Sequence, residues 1–390
     1  MDSRQRGELM DFNFTQQQDE MRTHLQAFLN KICPEEYVEK CDKDGVPPYE
    51  AYKALCDAGW LGLIIPEEYG GTGGDAVDLA ILLEETGKRF EELAMWVFRT
   101  MTWGAFAIMA HGSEEQRKFF LPKIAKGELS FAFGLTEPSS GSDAAALKTR
   151  ADTIGNDKYL INGQKVFTSG MDISDYCLVV LRTSKEDKKQ KGITTFMVDT
   201  KKKGIDVKKI DTLGHRSIGT TQVFYNDVEV SKDDIIGEIG GGWQICDSCL
   251  WYERLCLSAA RTGAASACFD LALQYAKSRE QFDRPIGKFQ AISHKLADMK
   301  VMIELSRLLF YKFATSINED KASRHEAAIL KLYTSESYTK ITEHAMQIYG
   351  GYGFCMEYPI QRFFRDARLS VIGAGTSEIQ RNIIAKSIGL

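Results

Sequence analysis

A chain of 390 residues exceeds the size at which one hydrophobic core keeps growing, so two or three packed sections are expected rather than one small domain. Its composition, 44% hydrophobic and 26% charged with eight prolines, excludes a disordered or fibrous protein. The net charge of -5, with lysines and arginines scattered along the chain, excludes the positive field that holds a phosphate backbone, and no nucleic-acid partner is expected.

The opening segment, Met1 to Leu9, is polar and precedes Met10, an alternative start; it is set aside from fold reasoning. From Phe14 to about Lys126, apolar residues such as Met21, Leu25, Phe28, Leu29 and Ile32 recur at three- and four-residue spacing. Breaks fall at Pro47-Pro48 and Gly70 to Gly74. An N-terminal helical domain over 10–128 follows. From about Phe131 to Val230 the texture changes to short β-branched and aromatic runs, such as Tyr176 to Leu181 and Thr194 to Val198, bounded by turn residues. This reads as a middle antiparallel β-barrel or sandwich over 129–234, with Asn162-Gly163 as a hairpin turn. After Gly240 to Gly242 helical periodicity returns, with alanine pairs such as Ala259-Ala260 that let helices approach closely. A C-terminal four-helix bundle over 235–390 is expected. The whole is an α+β multidomain chain.

Nine cysteines, an odd number in apolar stretches, fit reduced thiols. Cys246 and Cys249 form a C-x-x-C in a helical pattern with no second pair and no neighbouring histidine, which reads as buried thiols. The histidines lack metal spacing, and no metal is expected. With no run of about 18 apolar residues and no signal-peptide core at the N-terminus, the expectation is a soluble cytoplasmic protein without a membrane partner.

The stretch Phe133 to Asp143, Phe-Gly-Leu-Thr-Glu-Pro-Ser-Ser-Gly-Ser-Asp, gathers hydroxyls and backbone donors where the helical section meets the strands. On composition alone it reads more readily as a hydrophilic loop. Read together with Lys165-Val166-Phe167-Thr168-Ser169, it resembles the paired flavin-binding segments of the acyl-CoA dehydrogenase family. Further matches follow in the family's order: Arg279 to Phe282 with Pro285 to Gln290, then Gln347 to Phe354, then Arg365 to Arg368 with Gly375 to Arg381. The likeness spans essentially everything after Met10.

That resemblance implies FAD as cofactor, an acyl-CoA substrate, an electron-transfer flavoprotein as redox partner, and a homotetramer or homodimer. Phe133, Leu135, Thr136 and Ser142 would line the flavin and the start of the acyl-CoA tail, with Phe167 and Ser169 against the ring. Arg279, Phe282, Gln290, Gln347 and Gly351 would hold pyrophosphate and adenosine across a subunit contact, with Thr376 and Glu378 near the dinucleotide. Tyr252, Arg254 and Gly375 join Ser142 as expected substrate contacts. Taken singly, each is more often plain structure; Phe167 alone is a core aromatic and Arg279 a solvated helix charge.

Dehydrogenation alpha and beta to a thioester needs a carboxylate for the alpha proton. In much of the family this is a glutamate directly before the C-terminal Gly-Thr, where this chain has Ala374. A second subgroup, resembling isovaleryl-CoA and long-chain enzymes, carries the glutamate on the first long helix of the last domain, directly before an arginine. Here that pair is Glu253-Arg254. Helical spacing puts Cys249, Cys256 and Leu257 on the Glu253 face, an apolar setting that raises a carboxyl pKa. Without the resemblance Glu253 reads as a surface glutamate. The position of Ala374 keeps a backbone N–H that would polarise the thioester carbonyl.

Glu137, Glu357 and Glu378 are rival carboxylates, of which the first two read as structural. Ala374 combined with Glu253-Arg254 and the early Pro34-Glu35-Glu36-Tyr37 also resembles the crotonobetainyl-CoA reductase branch, which reduces 2-enoyl-CoA thioesters. A non-catalytic flavin scaffold and a flavin oxidase of the same fold stand as alternatives. The acyl chain depends on how the helices near Met95 to Thr102 and Trp251 pack.

Overall fold

A computed structural model describes residues 13–155 and 157–390; Met1 to Met10 lie outside the described residues. Seven α-helices form the first section: α1 (Gln16–Ile32), α2 (Glu35–Asp44), α3 (Tyr49–Asp57), α4 (Ala76–Arg89), α5 (Glu91–Arg99), α6 (Ala107–His111) and α7 (Glu114–Ala125). Their starts are written locally. Thr15, Asp75 and Ser113 open α1, α4 and α7 with capping boxes closed by Gln18, Asp78 and Gln116.

Between α5 and α6 the backbone winds as a π-helix over Thr100–Phe106, so 91–111 runs as one rod. By length and composition this 21-residue rod could cross a membrane, although the sequence held no strictly apolar run of that length; charges such as Arg99 interrupt it. It is 83% buried inside the protein, as a core helix is.

The middle section holds β1 (Phe131–Gly134), β2 (Arg150–Gly155), β3 (Lys158–Ser169), β4 (Tyr176–Arg182), β5 (Ile193–Asp199), β6 (Ile205–Ile210), β7 (Thr220–Ser231) and β8 (Ile235–Ile236). They form one eight-stranded sheet in the order β6-β7-β3-β2-β4-β5-β8, with β1 beside β4. Most neighbours are antiparallel, but β1 and the start of β2 run parallel to β4. Alternation divides β4: Cys177, Val179 and Leu181 enter the sheet's own core, while Leu178 and Val180 pack outward against neighbouring clusters.

Asn162-Gly163 is not a turn. It lies inside β3 at a bulge against β7, and the reversal into β3 occurs at Gly155–Lys158. Asn162 instead pairs with Asp227, donating from Nδ2 at 2.9 Å and accepting from the Asp227 N–H at 3.0 Å. Gly163 has φ +142, and a Cβ there would meet Thr149 at 2.7 Å.

The last section contains α8 (Gly242–Ser278), the short pair β9 (Glu280–Gln281) and β10 (Arg284–Pro285), α9 (Gln290–Asn318), α10 (Arg324–Tyr349), α11 (Ile360–Ser370) and α12 (Ser377–Ser387). Ala264, Ala265, Cys268, Ala272 and Ala276 of α8 face Met299 and Ile303 of α9 and Tyr338, Ile341 and Ala345 of α10. The first section also leans on α8. A Cβ on Gly87 of α4 would strike the Ala260 carbonyl at 2.1 Å, and one on Gly263 would strike that of Glu84 at 1.9 Å, so both glycines permit the close crossing.

Candidate active site

The flavin-type segments meet at the open end of β1. The Val166 N–H donates to the Thr136 carbonyl at 2.8 Å, joining the loop after β1 to β3. Beneath them lies a buried ion pair, Lys165 Nζ to Glu137 Oε1 at 2.9 Å; Lys165 also donates to the Leu135 carbonyl at 3.0 Å. Glu137 accepts further from the N–H groups of Lys148 and Thr149 at 2.6 and 2.8 Å. Burial alone would raise its carboxyl pKa, but Lys165 and these donors hold it below the usual value. A carboxylate tied this firmly is an anchor for the loop.

Phe167 takes an unusual place. A second bulge in β3, between Val166 and Thr168, gives Phe167 φ 58 and leaves its side chain 64% exposed. An aromatic residue with positive φ costs about 1–3 kcal/mol and persists where the surroundings force it. Ser169, two residues further on, is partly exposed, and its carbonyl accepts a hydrogen bond from Arg99 Nη1. Arg99 reaches this carbonyl from α5 and is itself only 2% exposed.

Glu253 lies on α8 between Cys249 and Cys256, both fully buried. Thr102, in the π-helical stretch, touches Cys256 at 3.6 Å, which sets the π-helix across from the Glu253 face. Burial pushes the Glu253 carboxyl up to about 7, against the pull of Arg254, Arg261 and Lys331. The Glu253 residue is half-buried, whereas Arg254 and Arg261 are buried, and Arg254 Nε and Nη1 have no acceptor among the described residues.

Lys331 of α10 links this cluster to the C-terminal turn, its ammonium donating to the Gly375 carbonyl at 2.7 Å. Gln380 adds bonds to the Ala374 and Gly375 carbonyls at 3.1 and 2.9 Å. Ala374 has φ 55 and Gly375 φ 85, so the backbone is left-handed at two successive residues.

The other expected contacts divide into three groups. Phe133 and Tyr252 stack inside the protein, Phe133 on Trp103 at 3.8 Å and Tyr252 on Phe106 at 4.2 Å, so each offers at most one face to a ligand. Leu135, partly buried, packs against the small cluster of Ala145, Leu147, Val180, Ile193 and Cys246, and Ser142 is exposed on its loop. Thr376 caps α12, accepting from the Ile379 N–H, and with exposed Glu378 lines a cleft of about 360 Å³. Gln347 borders an adjoining cleft of about 460 Å³, and Glu343 belongs to both.

Arg279, Phe282, Gln290 and Gly351 are exposed, with the Arg279 guanidinium 5.6 Å from the centre of the Tyr352 ring and Phe282 86% exposed at φ 53. Arg279 follows Glu253 by 26 residues, nearly all of them on α8, which places it about 39 Å along the axis. Within one chain, therefore, this group and the Glu253 site are far apart.

Of the rival carboxylates, Glu357 and Glu378 are exposed. Cys246 and Cys249 are buried free thiols, and burial pushes Cys249 up to about 12, an unreactive state. Among the described residues no three His, Cys, Asp or Glu side chains gather as a metal site. Sequence reasoning missed Arg99, Arg261 and Lys331. The available signal was a lone cation inside an apolar helical run, as in Leu330-Lys331-Leu332.

The residues fit a flavin. An uncovered aromatic face stands on a forced bulge, and in the same two segments the buried hydroxyl oxygens of Ser140 and Thr168 lack partners among the described residues. A three-section fold that carries both such a cradle and, on α8, a carboxyl raised to about 7 defines a flavin-dependent oxidoreductase. The chain belongs to the acyl-CoA dehydrogenase family: models of its N-terminal, middle and C-terminal domains match residues 15–128, 132–228 and 240–389. FAD is its cofactor. It is similar to the 3-(aryl)acrylate reductase of Clostridium sporogenes, 36% identical over 96% of this chain and 99% of that one. It is also 32% identical to the caffeyl-CoA reductase-Etf complex subunit CarC of Acetobacterium woodii, over 95% and 98% of the two chains. The solved butyryl-CoA dehydrogenase of Megasphaera elsdenii superposes with a TM-score of 0.93 at 35% identity, covering 97% of this chain and all of that one.

Proposed function

We propose that this protein moves hydrogen between the alpha and beta carbons of an acyl-CoA thioester, with Glu253 handling the alpha proton. The observation that carries this reading is the Glu253 carboxyl, raised by burial to about 7, on the α8 face opposite the π-helix. A base near neutrality both takes the proton and gives it up at working pH. Arg254, Arg261 and Lys331 keep the ionised form accessible despite burial. The Ala374 N–H, turned by its left-handed backbone, donates to the thioester oxygen and stabilises the charge that develops there. Phe167 and Ser169 flank the flavin ring; FAD, when bound, supplies the acceptor for the beta hydrogen. Leu135, Thr136 and Ser142 hold the near part of the cofactor and thioester.

The distance along α8 supports a shared site: Arg279, Phe282, Gln290, Gln347 and Gly351 serve the dinucleotide of a neighbouring copy, in a cytoplasmic homodimer or homotetramer. An electron-transfer flavoprotein is the redox partner, in keeping with the Etf complex named for one relative. Two relatives are named as reductases of unsaturated acyl groups, which favours 2-enoyl-CoA reduction as the second reading of the same site.

Titrating the purified protein with saturated and 2-enoyl-CoA thioesters, while following flavin absorbance, tests the proposal. Bleaching by a saturated thioester, or reoxidation of reduced enzyme by an enoyl thioester, is expected and identifies the direction. A colourless protein without affinity for FAD, or a flavin that no thioester perturbs, overturns it.

A further inference from the structure

Lys331 has no part in the chemistry proposed for Glu253 and Ala374 beyond its charge, yet it hydrogen-bonds one half of the site and acts electrostatically on the other. It is 1% exposed in an apolar stretch of α10, where a lysine is rare unless paired. Its ammonium donates to the Gly375 carbonyl at 2.7 Å, a charge-assisted bond. The groups that face it come from three helices: Arg254, Arg261 and Glu253 on α8, Glu336 on its own helix, and Glu378 on α12. Burial and the two arginines pull its pKa down to about 7, with Glu253 and Glu336 opposing.

The turn it holds does not hold itself. Ala374 at φ 55 carries the Cβ penalty that glycine avoids, and the next residue is left-handed as well. Lys331 and Gln380 together bind the carbonyls of both residues. Because peptide units are planar, fixing those carbonyls fixes the two peptide planes that follow Ala374; its own N–H lies in the plane before, held between that anchored turn and the Gly373 N–H, which donates to the Leu369 carbonyl at 2.9 Å. The lysine charge also polarises the Gly375 peptide, and the low dielectric around it strengthens that effect.

We propose that Lys331 is a positioning residue: it holds the 374–375 turn so that the Ala374 N–H points at the thioester oxygen, and it ties that turn electrostatically to Glu253. This rests on the roles of Glu253 and Ala374 given above. Loss of the proton from Lys331 loosens the turn, and loss of the negative charge on Glu253 removes an anion that favours the charged lysine. Donor aim and base charge are therefore coupled through one side chain.

The test uses FAD-loaded full-length enzyme and the variants K331M, K331Q and K331R. Cinnamoyl-CoA, a chromophoric 2-enoyl thioester, reports carbonyl polarisation as a red shift of its own absorption. K331M is expected to retain FAD and bind cinnamoyl-CoA, but to lose most of the red shift. Turnover of the fastest thioester in the panel should fall about 100-fold, the scale of a misaimed donor, with KM changed less than about 3-fold. K331R should recover at least about 10-fold of the lost rate, because it restores a cationic donor. If K331M does not fold, K331Q carries the same comparison, as its amide removes the charge and keeps a shorter donor. A variant with the full red shift and wild-type turnover overturns the inference, and so does one that loses turnover while the shift stays whole. Absence of any shift in the wild-type enzyme overturns the donor role of Ala374 and this inference with it. Flavin bleaching by the thioester panel tests the dehydrogenase reading independently of Lys331.

Discussion

Replacing Glu253 with glutamine separates what the carboxyl does for the reaction from what it costs the fold. Burial moves its pKa from 4.5 to about 7. At about 1.36 kcal/mol per unit, ionising it in the folded protein costs at most about 3 kcal/mol. The sign follows from the raised value: the folded state binds this proton more tightly than the unfolded chain. The wild-type contribution is therefore fully present below pH 4.5 and is lost as pH rises through 7. Glutamine does not titrate. E253Q should match the wild type near pH 4.5 and exceed it by up to about 3 kcal/mol at about pH 8. For 390 residues with an unfolding entropy of about 2.1 cal/mol/K per residue, that is a rise in Tm of about 4 °C. Thermal melts of the FAD-loaded proteins from about pH 4.5 to 8.5 measure it, and turnover of E253Q should fall by about 10⁴-fold or more. A Tm difference that stays flat across this range refutes the claim that the carboxyl sits in a low-dielectric site.

The direction of catalysis gives a second test through the same group. Oxidation of a saturated thioester needs the ionised carboxylate, so kcat/KM should rise with pH through about 7, whereas enoyl reduction needs the protonated form and should fall over that interval. Lys165→Met leaves Glu137 buried without its cation; a loss of about 3–5 kcal/mol in stability is expected, together with weakened FAD binding, by melts and by flavin fluorescence. Ala374→Gly relieves the left-handed alanine and keeps the backbone donor, so turnover should stay within a few-fold of wild type while stability rises by about 1 kcal/mol. Ala374→Pro removes that N–H and should abolish turnover in whatever fraction folds. Phe167→Gly should stabilise the FAD-free protein, because it removes an aromatic residue from positive φ, while it lowers FAD affinity in a fluorescence titration.

What the chain disclosed before its structure follows the range of the interactions involved. Capping residues such as Thr15, Asp75 and Ser113 act within a few positions and set helix starts that the apolar period alone did not place. The α, then β, then α order was legible because a change in hydrophobic period is local too. Asn162-Gly163 misled because a two-residue motif cannot report Thr149 pressing on Gly163 or Asp227 pairing with Asn162 from across the sheet. The faces of Phe133 and Tyr252 taken up by Trp103 and Phe106 were hidden for the same reason. Within the site, Glu253 was singled out by the resemblance to a family subgroup, because its helical neighbours alone left it a surface glutamate. Lys331 was not, because its meaning depends on a carbonyl 44 residues away in the chain.

The most direct measurement concerns the alpha hydrogen itself. FAD-loaded enzyme incubated with a saturated acyl-CoA in D₂O, without any electron acceptor, should exchange that hydrogen for deuterium in the wild-type protein and leave it untouched in E253Q, as read by mass spectrometry of the recovered thioester. Exchange at an undiminished rate in E253Q would show that another group takes the proton.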